Sequence, residues 1–600
     1  MQGVGSLSEG PVDLVNHGVE VEYRLDGFLP ELAHPHPWFQ GLRGTHLAIF
    51  LPMSMLKLDG NRYGERGYEM FRILITDDIG RAGLTLLEAA SDVQYDVVKL
   101  PGAEKLLQII GDYDAVITRS GTPLTAPAFE ATKKLKVAGR AGVGMDNIDI
   151  DAATRRGVVV MNTPEANTLA ATELTLGLML ALCRNLPRAN ASVKKGEWTR
   201  SKFLGVQLHG KTLGVIGLGR IGSRVATRCQ AFGMKVMAYD PYIAEEAGER
   251  IHVRLVSSLE ELLREADLIT VHTPLTDETR GMIGAQEIGL MKEGVRLINC
   301  ARGGIMDEKA LLDGLSAKKI AGVGMDVYGK EPPKGELIQQ LLSRDEVVAT
   351  PHIGANTWEA QRDVAVQVVQ QVIEALRGEN FRNVVNLPFP EGVDYRSLAP
   401  YMELAEKMGS LQMQMIRGRI SRVEVEFRGE DVEAHGKPLT VALLKGILSP
   451  ILSEDVNYVN APHLADQRGI HVAQTRHPAA QDYSNVILCR AVSTKETRLI
   501  GGALFLHKIP RIVLLDDYRI DALPSGPALI LSNRDIPGVI GKVGTLLGER
   551  KINIAEWQMG RNERGGMAVS FINIDTPASE AVLQELRALS PILEVRQVKL

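Results

Sequence analysis

The sequence predicts an α/β protein of several domains, and three stretches carry that expectation. Between 212 and 240 a short apolar strand (Thr212–Ile216) runs into Gly217-Leu218-Gly219-Arg220-Ile221-Gly222. A helical stretch follows, and a second apolar strand (Lys235–Tyr239) ends on Asp240. From Met70 to Leu376, short apolar strands alternate with helical segments, the pattern of a parallel sheet covered on both faces. From Pro527 to Leu600 the order reads β-α-β-β-α-β, a ferredoxin-like arrangement.

The first of these stretches is the βαβ fingerprint of a dinucleotide-binding, Rossmann-like fold. Gly217 permits the tight turn, and Gly219 lets backbone approach a pyrophosphate. The helix that starts there offers free N–H groups and a dipole to the anion. Asp240 is placed to accept hydrogen bonds from a ribose diol. An acid there also repels a 2′-phosphate, so the expected cofactor is NAD rather than NADP.

Size and composition narrow the remaining choices. The 600 residues exceed what one core can organise, so roughly three to five domains are expected. The net charge of −5 is small for this length and suggests no nucleic-acid or membrane partner. Cys183, Cys229, Cys300 and Cys489 are scattered, which fits a reducing cytosol better than a disulfide framework or a zinc site. The longest apolar run, Leu174 to Cys183, is too short to span a bilayer.

In chain order, residues 1–69 lack periodicity and resemble neither a secretory signal nor an acid-poor transit peptide. They read as an extension without its own function, with Met70 a possible true start and an accessory domain the alternative. Phe71 to Asp77 then opens the first sheet, followed by strands at Ala115–Arg119, Leu135–Arg140 and Val158–Asn162. The apolar helix Glu173–Arg184 leads into the second sheet, whose later strands are Leu268–His272, Val295–Asn299, Gly322–Val327 and Val347–Thr350. The helix Glu359–Leu376 returns to the first. Beyond Pro388 the character shifts to alternating strands (Val423–Phe427, Val486–Val492) mixed with helices.

Three residues stand where chemistry is expected in such a sheet. Arg302 follows a strand directly and is flanked by Gly303 and Gly304. Its planar fork matches a carboxylate bidentately. His352 follows the strand at Val347–Thr350 and can exchange a proton near neutral pH. Glu331 precedes Pro332 and Pro333, and a carboxylate on one imidazole nitrogen would fix the tautomer. Together they suit hydride transfer from a carbinol carbon to NAD, with His352 taking the hydroxyl proton. The other histidines show no ligand spacing, so no metal is expected.

With these residues in view, the chain resembles the D-isomer-specific 2-hydroxyacid dehydrogenases. The signatures occur in order: Gly217–Gly222 with Asp240, His272-Thr273-Pro274-Leu275, Asn299–Gly304, Asp326-Val327 with Glu331-Pro332, and Pro351–Gly354. The resemblance implies a catalytic set of Arg302, Glu331 and His352. It implies NAD contacts from Gly217, Gly219, Arg220, Ile221, Gly222, Asp240, Thr273, Thr279, Cys300, Ala301, Asp326, Gly354 and Ala355. Asn356 stands where the family often has Ser, a polar exchange expected to tune rather than abolish activity.

Within that family the chain is most similar to the long-form members that oxidise 3-phosphoglycerate at the start of phosphorylated L-serine synthesis. Thr118-Arg119-Ser120 looks like their phosphate-binding segment. Arg140 to Asn147 looks like their substrate loop, with Met145 where Val is usual. Trp198-Thr199-Arg200 looks like a segment reaching a neighbouring subunit. The implied substrate contacts are Arg119, Ser120, Gly142, Val143, Gly144, Asn147 and Arg200.

The implied architecture is a substrate domain (70–168 and 354–387, flavodoxin-like) into which the NAD domain (169–353) is inserted. An α+β intervening domain (388–525), like an allosteric substrate-binding module, and an ACT domain (526–600) follow. The family implies a cytoplasmic homodimer or homotetramer. Asn533, Asp535 and Asn553 match ACT effector positions, here for L-serine, although Asn and Asp are also common at turns and caps. Two alternatives stay open: a glyoxylate, hydroxypyruvate or 2-oxoglutarate reductase, and an NADH-sensing protein without catalysis.

Overall fold

The structure is a computed structural model that describes residues 70–132, 134–387, 395–452, 455–477 and 483–600. The expected N-terminal extension and the junction at Pro388 lie outside the described residues. Four sheets organise the rest.

The first sheet is parallel, with β1 (Phe71–Ile75), β2 (Val93–Val97), β3 (Ala115–Thr118), β4 (Val137–Arg140) and β5 (Val159–Met161) in the order β2-β1-β3-β4-β5. The inner strands are near-continuous apolar runs because helices cover both faces; β3 is buried throughout. β2 lacks that signal. It is an edge strand in which only Val93 is buried, so Gln94 and Asp96 are tolerated and the sequence does not announce it.

The second sheet is also parallel. It holds β6 (Thr212–Ile216), β7 (Lys235–Tyr239), β8 (Arg254–Leu255), β9 (Leu268–Val271), β10 (Val295–Asn299), β11 (Ile320–Met325) and β12 (Val347–Ala349). Its order is β12-β11-β10-β9-β6-β7-β8. The order reverses between β6 and β9, and ligands of such sheets bind in the crevice beyond the strands' carboxyl ends at that point.

Two long helices join the sheets. Thr168–Cys183 buries Leu178, Met179 and Cys183 in the second core. It begins five residues before the expected Glu173, because Thr172 and Thr175 return their hydroxyls to the carbonyls of Thr168 and Ala171 at 2.7 and 2.8 Å. Polar residues thus sit inside a buried helix without exposed demand. Trp358–Leu376 returns to the first sheet and buries Val364, Val368 and Val372 there. Gly139 permits this approach: a Cβ would stand 2.6 Å from Val372 Cγ2. Among the described residues, no single helix is long and apolar enough to cross a membrane.

The third sheet holds β13 (Ile420–Arg428), β14 (His471–His477), β15 (Val486–Ser493), β16 (Thr497–Phe505), β17 (Ile509–Leu515) and β18 (Tyr518–Ala522), ordered β14-β13-β15-β16-β17-β18. All pairs are antiparallel except β13 with β14. Helices Tyr395–Met415 and Gly436–Leu448 contribute to its core. Their backbones nearly touch, since a Cβ on Gly409 would collide with Leu443 O and one on Gly446 with Glu406 O. The fourth sheet, β19 (Pro527–Arg534), β20 (Ile554–Arg561), β21 (Met567–Ile574) and β22 (Ile592–Lys599), has the antiparallel order β20-β21-β19-β22. With helices Val539–Glu549 and Glu580–Ala588 it is the ferredoxin-like unit the sequence predicts.

The helix crossing yields a stability prediction. Gly446→Ala must force the two helices apart, costing on the order of 1–3 kcal/mol. Denaturant unfolding followed by circular dichroism should show a lowered midpoint, while NADH affinity of the folded protein stays unchanged.

Candidate active site

The crevice at the carboxyl end of β6 is shaped by glycines with different tasks. Gly217 has φ +89°, and a Cβ there would press on the His272 carbonyl at 2.8 Å. A Cβ on Gly222 would collide with Gly217 O, so only glycine lets the helix Arg220–Ala231 seat on the strand. Gly219 differs, because nothing lies within 4 Å of its Cβ position. No side chain caps that helix, which leaves its N–H groups to a ligand. Asp240 reaches back to this loop, Oδ2 accepting from Leu218 N at 2.9 Å and Oδ1 from Tyr242 N at 3.0 Å. Thr273 Oγ1 is buried beside Gly217 without a partner among the described residues. Open space over Gly219, an uncapped helix start, a ribose-height carboxylate and an orphaned hydroxyl fit NAD.

The substrate side gathers three arginines. Arg119 directly follows β3 and donates to Asp78 O at 3.1 Å; burial pulls its guanidinium down, opposed by Asp77 and Asp78. Arg140 ends β4, where burial and then the repulsion of Arg302 hold it down to about 10, still protonated at neutral pH. Arg302 follows β10, donates to Ala301 O at 2.7 Å and lies 3.5 Å from Asp146 of the opposite loop. A Cβ on Gly142 would collide with Arg140, and one on Gly144 with Arg302. The glycine loop is therefore the space through which arginines from two sheets approach. Three like charges this close need an anion; Asp146 supplies part of one.

The proton-transfer pair is formed. His352 Nδ1 and Glu331 Oε2 are 2.6 Å apart, and Glu331 Oε1 accepts from Tyr328 N at 3.1 Å. Tyr328 O abuts Gly303, which connects this pair to the Arg302 loop. His352 has φ +52°, uncommon for a residue with a side chain. Asp326, 1% exposed, holds that turn: its carboxylate accepts from Thr350 Oγ1 at 2.6 Å, Ile353 N at 2.8 Å and Gly354 N at 2.8 Å. Expected among cofactor contacts, Asp326 is thus mostly committed to the chain. A carboxylate has about four acceptor sites, so one is left.

The other expected residues divide. Ala301 N donates to Asn299 Oδ1, and Asn299 Nδ2 to Arg302 O, fixing the loop around Cys300. Burial pushes the Cys300 thiol up to about 12. Thr279 Oγ1 donates to Pro274 O at 2.6 Å and closes the loop after β9. Arg220 and Ile221 lie within the fingerprint as the first two residues of its helix, and Ala355 follows the His352 turn. Ser120 is exposed beside Arg119, and Val143 O accepts from Asn162 Nδ2. Asn147 donates to Arg119 O at 2.6 Å and Thr122 O at 2.9 Å, so its amide ties one expected substrate segment to the other. Arg200 lies apart, exposed in the short turn Arg200–Phe203. Among the described residues no hydrogen bond or ion pair joins it to these loops.

The expected effector cluster does not assemble within one chain. Asn533 pairs across β21 with Ala568, whereas Asn553 precedes Ile554, which pairs with Ile574 at the opposite end. Six residue steps along β21 separate the two ends, roughly 20 Å. Asn533 is buried with Oδ1 unpartnered; Asp535 accepts from Arg561 and Gly565, and Asn553 donates to Asp575.

Arg140 is not among the substrate contacts the resemblance implies. It ends β4 and stands two residues before Gly142, a placement comparable to that of Arg302 beyond β10, and only the packing of the two sheets brings it to the cleft.

Residues 176–354 match the family described as D-isomer specific 2-hydroxyacid dehydrogenase, NAD binding domain. The fold and cleft define a dehydrogenase of that class, with NAD as its cofactor. Residues 397–516 match the D-3-phosphoglycerate dehydrogenase intervening domain, and 528–591 match the ACT domain. A D-3-phosphoglycerate dehydrogenase of Methanocaldococcus jannaschii is 44% identical over 531 residues, 88% of this chain and 100% of that one. One of Synechocystis is 42% identical over 564 residues, covering 94% and 99%. One of Archaeoglobus fulgidus is 40% identical over 531 residues, covering 88% and 100%. The chain belongs to the D-3-phosphoglycerate dehydrogenase family.

His272, at the end of β9, yields a pH prediction. Burial pushes its imidazole down to about 4, and Nε2 is paired with Thr270 Oγ1 at 2.9 Å. The folded state therefore binds this proton later than the unfolded chain, whose histidine titrates near 6.5. The resulting stability is complete above that value and is lost as pH falls toward about 4. Unfolding midpoints of wild type and His272→Gln, compared from neutral to acid pH, should converge on acidification.

Proposed function

We propose that the chain oxidises D-3-phosphoglycerate to 3-phosphohydroxypyruvate with NAD. The observation that carries this reading is the meeting of Arg140 and Arg302 at one glycine loop, with Arg119 close enough to act on Arg140. A substrate with a carboxylate at one end and a phosphate at the other neutralises such a cluster. A small unphosphorylated hydroxy acid does not.

In this reading Arg302 holds the carboxylate and the adjacent oxygen, while Arg119 and Arg140 hold the phosphate. Bound NAD supplies the hydride acceptor. Glu331 holds His352 Nδ1, which leaves Nε2 to take the hydroxyl proton as the carbinol carbon loses its hydride. Both electrons leave with the hydride, and the carbinol becomes a ketone. Asp240 and the Gly219 cradle fix the cofactor, and Asp326 keeps the His352 turn in place.

Arg200 has no role within its own cleft on this geometry. We assign it to the cleft of a second copy, in a homodimer or homotetramer. The separation of Asn553 from Asn533 and Asp535 likewise favours an L-serine site shared by two copies of the ACT unit. The four buried, unpaired cysteine thiols suit a reducing cytosol.

Initial rates should favour 3-phosphoglycerate over glycerate by at least about 100-fold in kcat/KM, the worth of roughly one charge-assisted phosphate clamp. Equal rates would remove the phosphorylated substrate. L-serine added to the same assay reports on the ACT unit. His352→Ala should lower kcat by about 10²–10⁴ while NADH still quenches protein fluorescence; undiminished turnover would reject the assigned base.

A further inference from the structure

We propose that Asn457, on the stretch that follows the helix Gly436–Leu448, is a positioning residue for the substrate loop. It acts through the Gly157 carbonyl and the helix Ile150–Arg155. The inference rests on reading Arg119 and Arg140 as substrate ligands, and it adds that residues far along the chain hold them in register.

Residues 455–461 dock into the first sheet's domain. Val459 is buried in the core that contains Ile73, Ile117 and Val368, and Tyr458 packs against it. Asn457 Nδ2 donates to Gly157 O at 2.8 Å. Asn457 is itself held: its Oδ1 accepts from Val459 N and Asn460 N, and its own N–H donates to Asn460 Oδ1 at 2.8 Å. Gly157 has φ +72°, and a Cβ there would stand 2.5 Å from Asn457 Nδ2 and 2.9 Å from Asn460 Nδ2. Only glycine admits both asparagines.

Gly157 closes the helix Ile150–Arg155, its N–H donating to Thr154 O at 3.0 Å. That helix is about 9 Å long and is wedged in place by Ala152 and Ala153 against Leu124 and Phe129. At its other end stand Asp149, the cap, and Asn147. Asn147 Nδ2 grips the carbonyls of Arg119 and Thr122, and its Oδ1 lies 3.5 Å from Arg140 Nε. One end of a short rigid rod is therefore held by Asn457, and the other sets both substrate arginines. A packed element of this kind transmits displacement because it has no room to deform.

The grip is rooted in the third sheet's domain. Tyr458 Oη donates to Glu406 Oε2 at 2.8 Å, and Lys445 Nζ donates to Oε1 at 2.5 Å with its ammonium 4.7 Å from the Tyr458 ring. Glu406 and Lys445 belong to the two helices whose backbones nearly touch at Gly409 and Gly446. Any shift of those helices moves Tyr458 and, with it, Asn457.

Asn457→Asp keeps the Oδ acceptor that closes its own turn but sets an oxygen against Gly157 O. Losing this half-buried hydrogen bond should raise the KM for 3-phosphoglycerate about fivefold, with kcat and the KM for NAD changed by less than about twofold. Amide hydrogen exchange over residues 142–149 should accelerate by a similar factor. Unchanged exchange there, or exchange and both KM values rising together across the first sheet, would overturn the proposal. If wild type fails to oxidise 3-phosphoglycerate, the substrate reading falls while the exchange measurement still decides the clamp. Asn457→Ser, read the same way, serves if the aspartate variant does not fold.

Discussion

The Asp326 carboxylate is the interaction on which the cleft depends. It lies at the end of β11, buried, and collects three hydrogen bonds from the turn at residues 350–354. Burying a carboxylate is costly unless donors replace its water. Here the donors are the chain segment carrying His352, so satisfying the charge and placing the base are one event. The left-handed backbone at His352 is tolerated because the next two N–H groups are bound. Glu331 then completes the pair at 2.6 Å.

Around that turn, the cleft is built by backbone proximity. Gly144 leaves room for Arg302, Gly303 seats against Tyr328, and Gly222 seats a helix on its strand. Each glycine is needed for what approaches it from another element. Gly219 is the exception, with open space where a ligand belongs. The same device recurs away from the cleft, at Gly157 against two asparagines and at Gly446 against a neighbouring helix. Close approach between elements is how this chain joins its units.

Much of the fold was legible because its strands are buried on both faces. β6, β7 and β10 fall on the residues expected of them, and the ferredoxin-like order of the last unit follows from its turns and helix starts. β2 and β8 were not legible, one a half-polar edge and the other two residues long. The helix at Thr168 was read short because threonines that bond their own backbone look polar in sequence. Arg302, Glu331 and His352 were named from their places at strand ends. Arg140 also stands at a strand end, but only packing sets it beside Arg302, and sheet register puts Asn533 and Asn553 at opposite ends of one ACT unit.

By itself the sequence determined the elements and the chemical inventory: a dinucleotide fingerprint ending in Asp240, arginines and a histidine at strand termini, and a family. These are local properties, set by periodicity, glycine and side-chain type. Tertiary structure alone decided which of them meet. It paired Glu331 with His352, turned Asp326 toward the chain, and brought Arg140 beside Arg302. It also made Asn147 a tie between loops and set Asn457 on Gly157. The reason is physical: each contact spans 21 to 300 residues, and no local periodicity encodes a distance that only the packing of sheets and helices fixes.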